Sequence, residues 1–398
     1  MISVEEARER LIDGAALLGS ERVPLDRSAG RVLAEDVVAS RDQPPAPVSA
    51  MDGYAVRNKD SHVGSRLTVI GEAPAGAPFA RNLGHGEAVR IATGGVVPAG
   101  ADRIVIQEHV SREGATIRIR EMSEARFVRP AGGDFQGGQR LAHRGDRLDA
   151  GCVGLIAAAG KADVSVARRP RVAIFPSGDE LREPGEPIGA GAVYNSAAYA
   201  IAALVERWGG IALRQPILPD DPAELDRCLT SSVLDVDVVV ALGGASVGDR
   251  DALRPAFQRL GAGMVFDRVA VIPGKPTWHA RFPDGRKLLG LPGNPASAFV
   301  CAHLFLQPLL GALQGAPAAL QLQNGALASD LPANGPREAW LRATAAIVNG
   351  LVQLTVDPRQ DSSLQLPLAA ANALVCRGVD ALEAAAGEMV SYLPIAGT

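Results

Sequence analysis

Between Arg169 and about Gly315, short, largely apolar runs alternate with amphipathic segments of helix length. The order is strand Val172–Phe175, helix Ala197–Trp208, strand Leu213–Leu218, helix Pro222–Val233, strand Val236–Leu242, helix Asp251–Leu260, strand Leu288–Leu291 and helix Asn294–Leu310. A strand with no polar face has nothing to offer water, so these runs predict a parallel sheet covered by helices on both sides. The expectation is a doubly wound, mostly parallel α/β domain over 169–316.

The flanking sequence reads differently. Ser3 and Glu6 form a capping box before Val4, Ala7, Leu11, Leu17 and Leu18, which predicts an amphipathic helix over 3–18. From 44 to 138, β-branched runs such as Leu67–Ile70, Arg103–Ile106 and Thr116–Ile119 are separated by Gly, Pro, Asn and Asp, as in a β-rich domain. Residues 139–168 return to helix-forming Ala and Leu and are expected to join residues 1–43 in a helical linker domain interrupted by the β insertion. Residues 317–398, with Ile347–Val356 and Met389–Pro394, read as a small C-terminal β domain. The fold class is therefore multidomain, α/β plus β.

A chain of 398 residues with 47% hydrophobic and 21% charged residues can bury large cores. Its 44 glycines and 28 prolines are local punctuation rather than low complexity. A net charge of −4 offers no basic excess for a phosphate backbone, which argues against nucleic acid as a partner. Cys152, Cys228, Cys301 and Cys376 are dispersed, with neither zinc-ligand spacing nor a disulfide framework. The acidic start and the interruption of Ala296–Leu313 by His303, Gln307, Pro308 and Gly311 predict a soluble, cytoplasmic protein with no membrane partner.

In an open parallel sheet, ligands bind beyond the carboxyl ends of the strands. Three turns there carry glycine: Pro176-Ser177-Gly178-Asp179-Glu180, Gly243-Gly244-Ala245-Ser246-Val247-Gly248, and Pro292-Gly293-Asn294-Pro295. Exposed backbone N–H groups near helix starts suit a phosphate or another oxyanion, although each turn alone could be only a tight turn or a helix cap. Asp220 follows a predicted strand, beside Asp221, which could cap the next helix. Lys275 is one of four lysines among 40 basic residues and stands in Pro273-Gly274-Lys275-Pro276, where an ammonium suits an oxyanion as a point charge. Gly244-Ala245-Ser246-Val247-Gly248 also fits a nucleophile elbow, for which His279 or His303 would have to act as base.

Seven blocks in order, SAMDGYAVR at 49–57, ATGGVVPAGADRIVIQEH at 92–109, RPAGGD at 129–134, SGDEL at 177–181, GGASVG at 243–248, PGKP at 273–276 and GLPGNPASA at 290–298, resemble the molybdopterin molybdenumtransferases. That resemblance implies an elongated four-domain subunit in a homodimer, with the β-rich domain of one copy and the α/β domain of the other forming one active site. It implies conversion of molybdate and adenylyl-molybdopterin to molybdenum cofactor and AMP with Mg²⁺. By the family pattern, Asp52, Thr93 and Asp134 belong to the β-rich side, and Glu180, Asp220, Asp251 and Lys275 to the α/β side. Glu180 and Asp251 would hold the metal. Ser177, Gly178, Gly243, Gly244, Ser246, Gly248, Pro292, Gly293, Asn294 and Pro295 would hold the pterin nucleotide. The implied protein partners are the molybdopterin adenylyltransferase and apo-molybdoenzymes.

The chain departs from that pattern where molybdate is handled. Ile272 stands where the family usually has a lysine, with Arg268 the basic residue a little earlier, and Leu366 and Pro367 stand at later serine positions. Arg342 is read as the nearby basic position. Weaker molybdate affinity is the expectation, and a non-catalytic carrier of molybdopterin or its nucleotide is the alternative. A serine hydrolase using Ser246 ranks below both.

Overall fold

The computed structural model describes residues 1–232, 235–243 and 252–395. The chain divides into two units, one of Met1–Arg22, Gly30–Ala34 and Ser165–Thr398, the other of Val23–Ala29 and Glu35–Val164.

In the first unit, β1 (Arg171–Pro176), β2 (Ile211–Arg214), β3 (Val238–Leu242), β4 (Gly263–Phe266), β5 (Trp278–Arg281) and β6 (Lys287–Leu291) form one sheet in the order β2-β1-β3-β6-β5-β4. The first four in that order are parallel, as the apolar runs predict, while β5 and β4 add an antiparallel edge. That edge is absent from the sequence expectation because its strands alternate polar and apolar residues weakly. Trp278 lies opposite Gly290 in β6, and a Cβ on Gly290 would fall 1.9 Å from the indole. The glycine makes room for the ring.

Successive strand residues serve opposite cores. Val172, Ile174, Val238, Val240, Leu289 and Leu291 pack against α1 (Val4–Ile12), α2 (Ser196–Arg207) and the helical stretch α5 (Pro295–Cys301), a π turn at Ala302–Leu306, and α6 (Gln307–Gln314). Ala173, Phe175, Val239, Ala241 and Leu288 pack against α3 (Pro222–Ser232) and α4 (Leu253–Arg259). Pro295–Gln314 is long and apolar enough to cross a membrane, but 83% of its most apolar window is buried in this core.

The opening helix is shorter than expected and differently placed. It ends at Ile12, where Asp13 and the positive-φ Gly14 turn the chain, and Val4, Ala7 and Leu11 are buried in the α/β core. Later in the 1–43 segment, Val37–Val38 pairs antiparallel with Arg140–Ala142 within the second unit.

The C-terminal strands β7 (Gln323–Leu327), β8 (Glu338–Val348), β9 (Leu351–Val356), β10 (Ala373–Arg377) and β11 (Met389–Pro394) run β8-β9-β7-β11-β10, and β10 pairs back to β8. The sheet thus closes on itself around Leu327, Ala343, Leu354, Val375 and Tyr392. The run expected as one strand over Ile347–Val356 is two strands joined at Asn349-Gly350, both with positive φ. The short helix α7 (Gln365–Ala370) interrupts the barrel.

The second unit holds a six-stranded sheet in the order 103–106, 53–56, 87–91, 66–73, 116–119, 110–113. It also contains the helix Ala150–Ala158, capped by Asp149, whose Oδ1 accepts from Cys152 N at 2.7 Å.

Candidate active site

The ends of β1, β3 and β6 bring their following turns to one rim. Gly243 has φ +94, and a Cβ there would fall 2.5 Å from Ser177 O. Gly293 approaches from the other side, where a Cβ would fall 3.3 Å from Gly243 Cα. Only glycine allows three backbones to meet so tightly. Beside them opens a cavity of about 750 Å³, lined among others by Ser177, Gly178, Glu180, Asp220, Gly243, Pro292, Gly293, Asn294 and Pro295. The structure therefore brings these nine expected residues to one place.

The carboxylates stand ready at the mouth. Glu180 is exposed and its carboxylate lies over Gly178, where a Cβ would be 2.6 Å from an oxygen. Ser177 Oγ donates to Asp220 Oδ1 at 3.5 Å, and Asp220 N donates to Asp179 Oδ1 at 3.2 Å. Asp221 does the capping instead, with Glu224 N donating to its Oδ1 at 2.9 Å, which leaves the Asp220 carboxylate to the cavity.

The wall facing this rim comes from the C-terminal domain. Asn294 Nδ2 donates to Ser362 Oγ at 2.8 Å, Ala296 N to Ser362 O at 3.0 Å, and Gln365 Nε2 to Ser196 Oγ at 2.7 Å. Ser363 and Gln365 line the cavity with Val193, Tyr194, Asn195, Ser196 and Pro276. A pocket with a glycine-rich rim, two carboxylates and an amide- and hydroxyl-bearing wall suits a polar small-molecule ligand.

Comparison with known proteins agrees along the whole chain. Residues 2–160 match the MoeA N-terminal region (domain I and II), 173–312 a "Probable molybdopterin binding domain", and 324–395 the MoeA C-terminal region (domain IV). A molybdopterin molybdenumtransferase of Nostoc sp. is 35% identical over 84% of this chain and 79% of its own length. One from Staphylococcus epidermidis is 30% identical over 94% of this chain and 91% of its own. The chain belongs to the molybdopterin molybdenumtransferase family. The crystal structure of the molybdopterin biosynthesis moeA protein from Pyrococcus horikoshii OT3 superposes with a TM-score of 0.83 at 28% identity, covering 99% of this chain and 100% of that one.

Other residues to which the molybdenumtransferase pattern points lie elsewhere. Lys275 is exposed one residue before the cavity-lining Pro276, and Arg268 is half-buried, its Nε without a hydrogen-bond partner among the described residues. Ile272 pairs with Ala339 of β8. Arg342, expected beside an oxyanion, is only 2% exposed. Its guanidinium donates to the carbonyls of Leu364, Arg359 and Asp361 at 3.2, 2.8 and 2.9 Å, so it holds the 357–364 loop from within. Gly244, Ser246, Gly248 and Asp251 lie outside the described residues. In the second unit, Thr93 N and Oγ1 donate to Asp52 Oδ1 at 2.7 and 2.9 Å, holding that carboxyl below its usual range. Asp134 is exposed, with its N–H donating to Gln43 O at 2.9 Å.

Neither histidine offered as a hydrolase base is available. His279 and His303 are buried, each with Nδ1 2.9 Å from a backbone carbonyl, of Leu288 and Phe299 respectively. Burial pushes both down to about 4.

Tyr194, Asn195 and Ser196 were not anticipated, and Ser363 and Gln365 were expected only as part of the 361–367 turn that the resemblance sets near molybdate. Tyr194-Asn195-Ser196 reads in sequence as an ordinary helix start, and the contribution of Ser363 and Gln365 depends on long-range packing no local pattern encodes.

Proposed function

We propose that the cavity binds adenylyl-molybdopterin and that the enzyme converts it, with molybdate, to molybdenum cofactor and AMP. The observation carrying this reading is the convergence of three glycine turns with Glu180 and Asp220 around one pocket. The N–H groups of Ser177, Gly178 and Gly243 donate to the carbonyls of Leu242, Leu218 and Leu291, so phosphate oxygens are met instead by the Gly293-Asn294 turn ahead of α5 and by Lys275 at the mouth. The pterin lies along the Val193–Ser196 wall.

The donor set fits Mg²⁺, which is commonly held by one or two carboxylates together with substrate phosphates. Glu180 would hold the ion, with Asp251 the second candidate by sequence; the ion would neutralise charge developing on the pyrophosphate. Asp220, paired to Ser177, orients the nucleophilic water or molybdate oxygen, and Lys275 and Arg268 draw molybdate to the mouth. Attack of water on the pterin-side phosphorus of the pyrophosphate breaks its P–O bond to AMP, which leaves as a phosphate monoester, and the two dithiolene sulfurs bond to molybdenum as one molybdate oxide leaves as water with the two thiol protons. The chain's contribution is positioning and charge stabilisation. We further propose a homodimer in which the β-rich domain of a second copy, with Asp52, Thr93 and Asp134, contributes to the site.

The test is AMP release from adenylyl-molybdopterin with Mg²⁺ across a molybdate titration. Molybdate-dependent release is expected, with half-saturation at higher molybdate than in a relative carrying lysine at the Ile272 position. Glu180→Ala is expected to lower kcat on the order of a hundredfold at saturating Mg²⁺. Tight retention without release would instead assign a carrier, the reading that Ile272 and the 78%-exposed Leu366 favour.

A further inference from the structure

Asn195 stands at the start of α2 and lines the cavity, yet it does not cap the helix. Asparagine there ordinarily accepts from an N–H of the first turn, which stabilises a helix by about 1 kcal/mol. Here the backbone adopts φ −67 and ψ 68 and no such bond forms. Instead Asn195 Nδ2 donates to Glu183 Oε1 at 2.8 Å. A carboxylate can only accept, so the amide must present its NH₂ to Glu183, which fixes its orientation.

Glu183 is itself held. The Tyr199 hydroxyl donates to its Oε2 at 2.8 Å, and Arg214 lies 3.5 Å from the same oxygen while stacking 3.8 Å over the Tyr199 ring. The Asn195 hydrogen bond, with these partners, keeps the Glu183 carboxyl below its ordinary range, so it stays an acceptor at neutral pH. Asn195 is 3% exposed, which leaves the amide no room to swing into solvent. Its carbonyl oxygen accepts no hydrogen bond from any described residue.

We propose that Asn195 Oδ1 is a fixed acceptor for a hydroxyl or N–H of the pterin nucleotide, with Glu183 as the positioning residue that sets its direction. This rests on the reading of the cavity given above. A withheld helix cap is a local cost that a substrate contact offsets. A site built around an oriented acceptor also discriminates against ligands lacking the donor.

The test is equilibrium binding of adenylyl-molybdopterin and of AMP to wild type, Asn195→Ala, Glu183→Gln and the double variant, with thermal midpoints alongside. Glutamine at 183 can present either end of its amide, so the direction of Asn195 is lost while the shape is kept. The Kd for adenylyl-molybdopterin is expected to rise about tenfold in each single variant and no further in the double. The same rise with AMP places the donor on the nucleotide half; an unchanged AMP Kd places it on the pterin. A lowered thermal midpoint with both Kd values within twofold of wild type overturns the proposal, as does an additive double variant. Asn195→Ala decides if Glu183→Gln fails to fold. A wild type that binds neither ligand overturns the cavity reading and this inference together, whereas one that binds but releases no AMP overturns only the transferase.

Discussion

A sulfur atom decides what residue 274 can be. Gly274 has φ +123, and a Cβ there would fall 2.1 Å from Cys301 Sγ, which is buried beneath the turn that presents Lys275. Gly274→Ala therefore combines an unfavourable backbone angle with overpacking and is expected to cost about 3 kcal/mol in urea unfolding. Cys301→Ala in the same chain should recover the packing part and leave the dihedral part. Full recovery, or no loss in the first place, would mean the turn adapts freely. Burial also pushes the Cys301 and Cys376 thiols up to about 12. Alkylation of the native protein at pH 8 is accordingly expected at the exposed Cys228 well before either, and mass mapping after a short iodoacetamide pulse checks the order.

One side chain organises an element of the site at longer range. Arg342, on β8, is enclosed by the loop it binds: besides the three carbonyls, its N and Nε donate to Gln360 Oε1 at 3.1 and 3.4 Å, and Gln360 Nε2 donates back to Arg342 O at 3.0 Å. That loop carries Ser362 and Ser363 to the cavity wall. Arg342→Lys keeps the charge but not the planar fork, and is expected to lose about 2 kcal/mol because a buried cation and the three carbonyls lose hydrogen bonds. Faster hydrogen exchange confined to 357–364 would accompany it; unchanged exchange there would mean that the loop holds itself. This role was not legible in the sequence, where Arg342 reads as a cation placed by family pattern. What was legible had local or strictly periodic causes. The parallel strands announce themselves because they are apolar on both faces, and the turns after β1, β3 and β6 because glycine is needed where three backbones meet. The antiparallel edge formed by β4 and β5 and the closure of β8 onto β10 arise from pairings between distant segments, which leave no period to read. Asn195 shows the same limit within one residue: asparagine at a helix start ordinarily caps it, and only the partner Glu183 shows otherwise.

The large α/β core fixes how the protein meets acid. His303 lies between Trp208 and Phe299, with ring centroids at 5.0 and 4.6 Å, and His279 packs against Phe266 at 5.6 Å. Both are neutral in the folded state down to about pH 4, below the ordinary histidine value of 6.5. Since the folded values are depressed, the unfolded chain takes up these protons first as pH falls. The stability associated with each neutral ring is complete above about pH 6.5 and is lost progressively until about pH 4, where the folded forms titrate too. A shift of this size corresponds to about 3 kcal/mol per histidine across the window, enough together to consume much of a typical folding free energy. The depressed carboxylates, Asp52 and Glu183 among them, have their folded values below the ordinary carboxylate range, so their contributions fade at lower pH than the histidine window. Urea midpoints between pH 7.5 and 4.5 should therefore fall steeply in the wild type. His279→Asn combined with His303→Asn keeps a donor near the Nδ1 position for the Leu288 and Phe299 carbonyls but cannot titrate, and should flatten that slope while lowering the midpoint at pH 7.5 through lost ring packing. If the double variant keeps the wild-type slope, acid sensitivity resides outside this core.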